Sequence, residues 1–134
     1  MRSRGRVALA VAAVVAVLTS GCDAQTAPAA RAVADDFADA VSTDNGRIAC
    51  VLLAPETRSQ LEQSSGKPCA SAIIEEDLPD PGAVEGSSSY GTMAEVTFAA
   101  DTMFVTEFRS GWKVMAAGCA PVPGRPYNCQ LQGG

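Results

Sequence analysis

Residues 84–117 read VEGSSSYGTMAEVTFAADTMFVTEFRSGWKVMAA, and within this stretch apolar side chains tend to recur at every second position. A period of two is that of a half-buried β-strand. Small and polar residues at Gly91, Ala100-Asp101 and Arg109-Ser110-Gly111 cut the run into four expected strands, Val84 to Tyr90, Thr92 to Ala99, Thr102 to Phe108 and Trp112 to Ala117. Turns this tight join antiparallel neighbours, so a meander is expected. The last turn fits a three-residue hairpin with Gly111 left-handed, which sets Phe108 opposite Trp112 and Glu107 opposite Lys113. In that register one face carries Ala94, Val96, Phe98, Met103, Val105, Met115 and Ala117. The other carries Met93, Phe104, Phe108, Trp112 and Val114 among polar neighbours, so both faces are partly apolar.

Upstream of Pro79-Asp80-Pro81-Gly82, the clearest break in the chain, the period is closer to four. Val33, Phe37 and Val41 form one stripe, with Asp35, Asp36 and Asp39 largely elsewhere on the wheel, which predicts an amphipathic helix docked by its apolar side. Thr43-Asp44-Asn45-Gly46 ends it and offers a cap for a second helix bearing Ile48, Val51 and Leu52. Pro55 opens a third, which carries Leu61 and stops at Ser64-Ser65-Gly66, and a fourth helical turn runs from Cys69 to about Glu76. Helices over about 29–78 followed by a four-stranded meander over about 84–117 make an α+β domain spanning 29–134.

The N-terminus is an export signal by the same kind of reading. Arg2, Arg4 and Arg6 precede an uninterrupted apolar run from Val7 to Leu18, which is too short to span a bilayer and fits a signal-peptide core over residues 1–21. Leu18-Thr19-Ser20-Gly21-Cys22 resembles a bacterial lipobox, with Thr19 where leucine is commonest. Cleavage between Gly21 and Cys22, with diacylation of the Cys22 sulfur, is the expectation, and residues 22–28 would be a tether. An ordinary secretory signal with a chance cysteine beside its cleavage site is the competing reading.

Lipidation also settles an odd count. Of five cysteines it removes one, and Cys50, Cys69, Cys119 and Cys129 allow three pairings. The short-range bridges Cys50–Cys69 and Cys119–Cys129 are favoured, each constraining the unfolded chain by roughly 3 kcal/mol. A zinc site is disfavoured because the chain has no histidine, and the four cysteines include no C-x-x-C spacing.

The order of helices then sheet resembles the nuclear transport factor 2-like cone, also called the cystatin-like or SnoaL-like fold. More closely, Ala49-Cys50-Val51-Leu52-Leu53-Ala54-Pro55, Pro68-Cys69, Asp101-Thr102-Met103-Phe104-Val105, Gly111-Trp112-Lys113-Val114, Ala117-Gly118-Cys119 and Arg125-Pro126-Tyr127-Asn128-Cys129 are similar to stretches of small actinobacterial cell-envelope lipoproteins. That resemblance implies a fold and a lipid-anchored place on the extracytoplasmic side of the cell membrane. It carries no activity.

The chemistry inventory is short. The chain holds 10 basic and 15 acidic residues; without the three arginines of the signal, 7 − 15 leaves −8, which disfavours nucleic acid as a partner. The absence of histidine removes Ser-His-Asp and Cys-His nucleophile systems, so any acid or base would have to be a carboxylate, lysine or tyrosine. Glu95, Asp101, Glu107 and Tyr90 are the formal catalytic candidates of a cone pocket, each with a structural role as the stronger reading. Glu75-Glu76-Asp77 with Asp80 lacks the ligand alternation of a calcium loop, and neither metal nor cofactor is expected. A non-catalytic binding or accessory module anchored by acyl chains is favoured over a small cone-fold enzyme with carboxylate chemistry. Its candidate interaction face is Phe104, Phe108 and Trp112, serving an envelope partner or a second copy, unless the segment from Cys119 to Leu131 folds back over that face.

Overall fold

The computed structural model describes residues 23–133, so the export signal and Cys22 lie outside the described residues. Four helices, α1 (Asp23–Ser42), α2 (Gly46–Leu52), α3 (Pro55–Ser65) and α4 (Cys69–Glu75), precede five strands, β1 (Val84–Tyr90), β2 (Met93–Phe98), β3 (Thr102–Phe108), β4 (Gly111–Val122) and β5 (Arg125–Gln132). The strands form one antiparallel meander in sequence order. The α+β order is as expected, with one strand more than the four anticipated.

Local signals explain the helices. The Asn45 side chain accepts from the Ile48 N–H at 3.3 Å and caps α2, Pro55 opens α3, and left-handed Gly66 (φ +68) closes it. Glu62 then accepts from the Cys69 N–H at 3.1 Å and caps the start of α4. At the N-terminus helix replaces most of the expected tether, because α1 already begins at Asp23 and carries Pro28 inside it. Pro28 leaves one helix hydrogen bond unmade near the start of α1.

One cluster of buried side chains joins the two layers. Ala30, Ala34, Phe37 and Ala40 line the inner side of α1, Leu53, Leu61 and Ile73 come from the other helical segments, and Ala94, Val96, Met103, Val105 and Val114 from the sheet. At about 25 cal/mol per Å2, side chains as fully buried as Phe37, Ile73, Val96, Val105 and Val114 each contribute about 1.5–3 kcal/mol. Covalent ties reinforce each layer separately. Cys50–Cys69 joins α2 to α4, and Cys119–Cys129 joins β4 to β5, the pairing expected from loop closure.

The β3–β4 hairpin departs from the expected register. Its loop is Arg109-Ser110 alone, so Phe108 faces Gly111 and Glu107 faces Trp112, where Trp112 and Lys113 were the respective expected partners. Gly111 does take a positive φ of +106, but as the first residue of β4 instead of a loop residue. A shift of one residue exchanges the faces of a strand. Trp112 and Val114 therefore point toward the helices, and a bulge at Met115, between the pairs Val105↔Val114 and Phe104↔Ala116, restores the phase so that Ala117 points inward as well. The bulge is held in place, since the Met115 carbonyl accepts from Thr57 Oγ1 at 2.8 Å and from the Gly133 N–H at 3.2 Å.

Where a disulfide-closed segment was expected over 119–131, the chain forms the end of β4 and all of β5. Pro123-Gly124 turns between them, with Gly124 at φ +68, and Pro126 is tolerated because β5 is an edge strand.

Candidate functional site

A continuous cluster of buried side chains lies between helices and sheet. Trp112, expected on an interaction face beside Phe104 and Phe108, is 8 % exposed and belongs to the core cluster. That grouping is corrected by the hairpin register, which leaves Phe104 and Phe108 on the outer sheet face and turns Trp112 inward.

The four catalytic candidates do not converge. Tyr90, 67 % exposed, and Glu107 lie at the sheet end that carries the β1–β2 and β3–β4 turns, whereas Asp101 lies in the β2–β3 turn at the opposite end. Glu95, on the outer face, accepts from the Tyr127 hydroxyl at 3.3 Å. Asp101 is the buried carboxylate, and its partners are all backbone. Oδ1 accepts from the N–H of Thr102 at 2.6 Å and of Cys119 at 2.7 Å, and Oδ2 from that of Gly118 at 3.0 Å. These bonds clip the β2–β3 turn to β4 at Gly118, whose φ of +64 bends the strand. Such a carboxylate organises backbone.

Beside the clip lies a cleft of about 270 Å3 between the C-terminal half of α1 and the loop before β1, lined by Phe37, Val41, Leu78, Pro81 and Met103 together with Asp80 and Asp101. Asp80 also serves backbone, accepting from the Gly82 N–H at 2.9 Å. Both cleft carboxylates thus shape turns.

The outer sheet face is partly covered from within. Past the bend at Gly118 the β4–β5 hairpin reaches far enough for the Tyr127 ring to meet Phe104 edge-on, with centroids 5.1 Å apart, while its hydroxyl bonds Glu95. This is the fold-back that the sequence offered as the alternative to association, realised for Phe104. Phe108 is half-buried at the other end, near exposed Tyr90 and Met93.

A second surface feature went unnoticed in the sequence. Asp36, Asp39, Ala40 and Thr43 follow helical spacing along one side of α1, Ile48 and Leu52 follow it on α2, and the two stripes line a groove of about 470 Å3. Ile48 is 42 % exposed and its neighbour Val51 57 %. The inner side of α2 is instead Gly46, Ala49 and Cys50, packed against α4. The i, i+4 pair Ile48/Leu52 was visible in sequence, but an apolar pair reads as core until the other side of the helix is seen to be occupied.

Among the described residues, no three His, Cys, Asp or Glu side chains gather so as to hold a metal ion, and no helix is long and apolar enough to cross a membrane. Compared with known proteins, the chain matches no family model, no curated protein and no solved structure.

Proposed function

We propose that the chain is a lipid-anchored extracytoplasmic binding module of the cell envelope, held to the membrane through acyl chains on Cys22, with its folded domain displayed for a protein partner. The observation that carries the binding reading is the state of the interior. A continuous cluster of apolar side chains occupies the layer between helices and sheet, and where a cleft does open there, beside Phe37 and Met103, its buried carboxylate Asp101 is occupied by three backbone N–H groups. Two disulfides accord with an oxidising compartment, and the signal-like segment 1–21 with its lipobox-like end accords with export and anchoring. The helices-then-sheet order is compatible with the cone family without bringing an activity from it.

Fractionation of cells expressing the wild type and Cys22→Ser tests the anchor. The wild type is expected in the membrane fraction with a diacylated Cys22 as its first residue by mass spectrometry. Cys22→Ser is expected to be released or to persist as an uncleaved precursor, because it has no sulfur to carry the acyl chains that hold the wild type. An unmodified Cys22, or a mature start beyond it, refutes the anchoring.

A further inference from the structure

Resting on that reading, we infer that the α1–α2 groove is the binding site and that its occupant is a basic amphipathic protein segment, one that places large apolar side chains on Ile48 and Leu52 and Lys or Arg against Asp36 and Asp39. Three observations converge on this. The groove has an apolar floor that the fold leaves open, since its lining includes Ile48, 42 % exposed, and half-buried Leu52. Apolar surface of this kind is a cost to a free protein and a gain on docking.

Its rim is acidic and uncompensated. Among the described residues the ion pairs are Arg58–Glu62 and Lys67–Glu75, so neither Asp36 nor Asp39 has a cation of its own. Exposed Arg47 and Asp44 stand nearby in sequence, and Lys113 is turned to the Val51 carbonyl at 2.8 Å. Carboxylates bordering an apolar strip select a partner of opposite charge with an apolar face.

Position and charge also argue against the membrane as occupant. Asp39 is 16 residues along α1 from Asp23, roughly 24 Å at 1.5 Å per residue, so the groove lies at the far end of the helix from the anchor. Anionic headgroups would in any case be repelled by the rim.

The probe is a phage-displayed random 16-residue peptide library, selected on the mature full chain in non-ionic detergent micelles and counter-selected on Ile48→Glu in the same micelles. The expected winners combine two or more large apolar residues with Lys or Arg. Synthesised, they should bind the wild type more weakly as salt rises, lose more than about tenfold with Ile48→Glu, as expected for a charge set into an apolar contact, and lose about threefold with Asp36→Asn or Asp39→Asn. The exchanges Asp36→Glu and Asp39→Glu should retain binding, which separates loss of charge from loss of fold. Absence of enrichment, winners that are acidic or uncharged, or binding indifferent to Ile48→Glu overturns the inference. So does light scattering that shows a second copy closing the groove. Winners that bind through the outer sheet, lost with Phe108→Ser and kept with Ile48→Glu, overturn the groove while leaving the binding-module reading standing.

Discussion

Replacing Asp101 by alanine removes the acceptor of three backbone N–H groups at once. Two of the donors belong to Thr102 and Cys119, both buried, whereas Gly118 is half-buried and can recover a water. At about 1–3 kcal/mol for each buried donor left unsatisfied, the loss is about 2–6 kcal/mol. That is a large part of the stability of a domain this size. Asp101→Asn keeps one carbonyl oxygen where Oδ1 stood but sets an amide N–H2 against the Gly118 N–H, so it should lie between wild type and alanine. Urea melts with both disulfides intact measure this as midpoints at constant slope. If Asp101→Ala melts with the wild type, or Asp101→Asn costs as much as Asp101→Ala, the carboxylate is not the clip described above.

Two further outcomes are expected. Trp112→Ala should lose about 3–5 kcal/mol in the same melts as a core truncation, with the mass by light scattering unchanged; a nearly neutral effect would place Trp112 at a surface. Gly46→Ala should cost about 1–3 kcal/mol or more by thermal melting, because a Cβ there would stand 1.9 Å from the Ala70 carbonyl oxygen and force α2 and α4 apart beside the Cys50–Cys69 bridge; an unchanged melting temperature would deny that close approach.

Much of the architecture is readable from residue order. The stretches Val84–Tyr90 and Thr102–Phe108 appear as strands with the expected bounds, because turn residues close each of them on both sides. The β3–β4 register is not readable in that way. Arg109-Ser110-Gly111 suits a loop of two or three residues equally well, and only packing decides, since Trp112, Val114 and Ala117 cannot share a face without a bulge. Strand β5 escapes notice because Arg125, Pro126, Asn128 and Gln130 make it look like loop. The signals that would have found it are the Pro123-Gly124 turn and the spacing of Tyr127, Cys129 and Leu131. Asp101 is legible as a turn former, whereas its reach to Gly118 and Cys119, 17 and 18 residues away, is tertiary information. The groove is hardest to read, because exposure of Ile48 depends on α4 having claimed the other side of α2.

Each disulfide closes a loop within its own layer, 19 residues in the helices and 10 in the sheet, and neither crosses from one layer to the other. A chain delivered N-terminus first into an oxidising compartment can therefore close Cys50–Cys69 while Cys119 is still some 50 residues from arriving. Were the chain exported in that way, order of emergence would favour the pairing observed. The helix–sheet contact is left to noncovalent packing alone, so the oxidised chain can part along that seam and close again without breaking a bond.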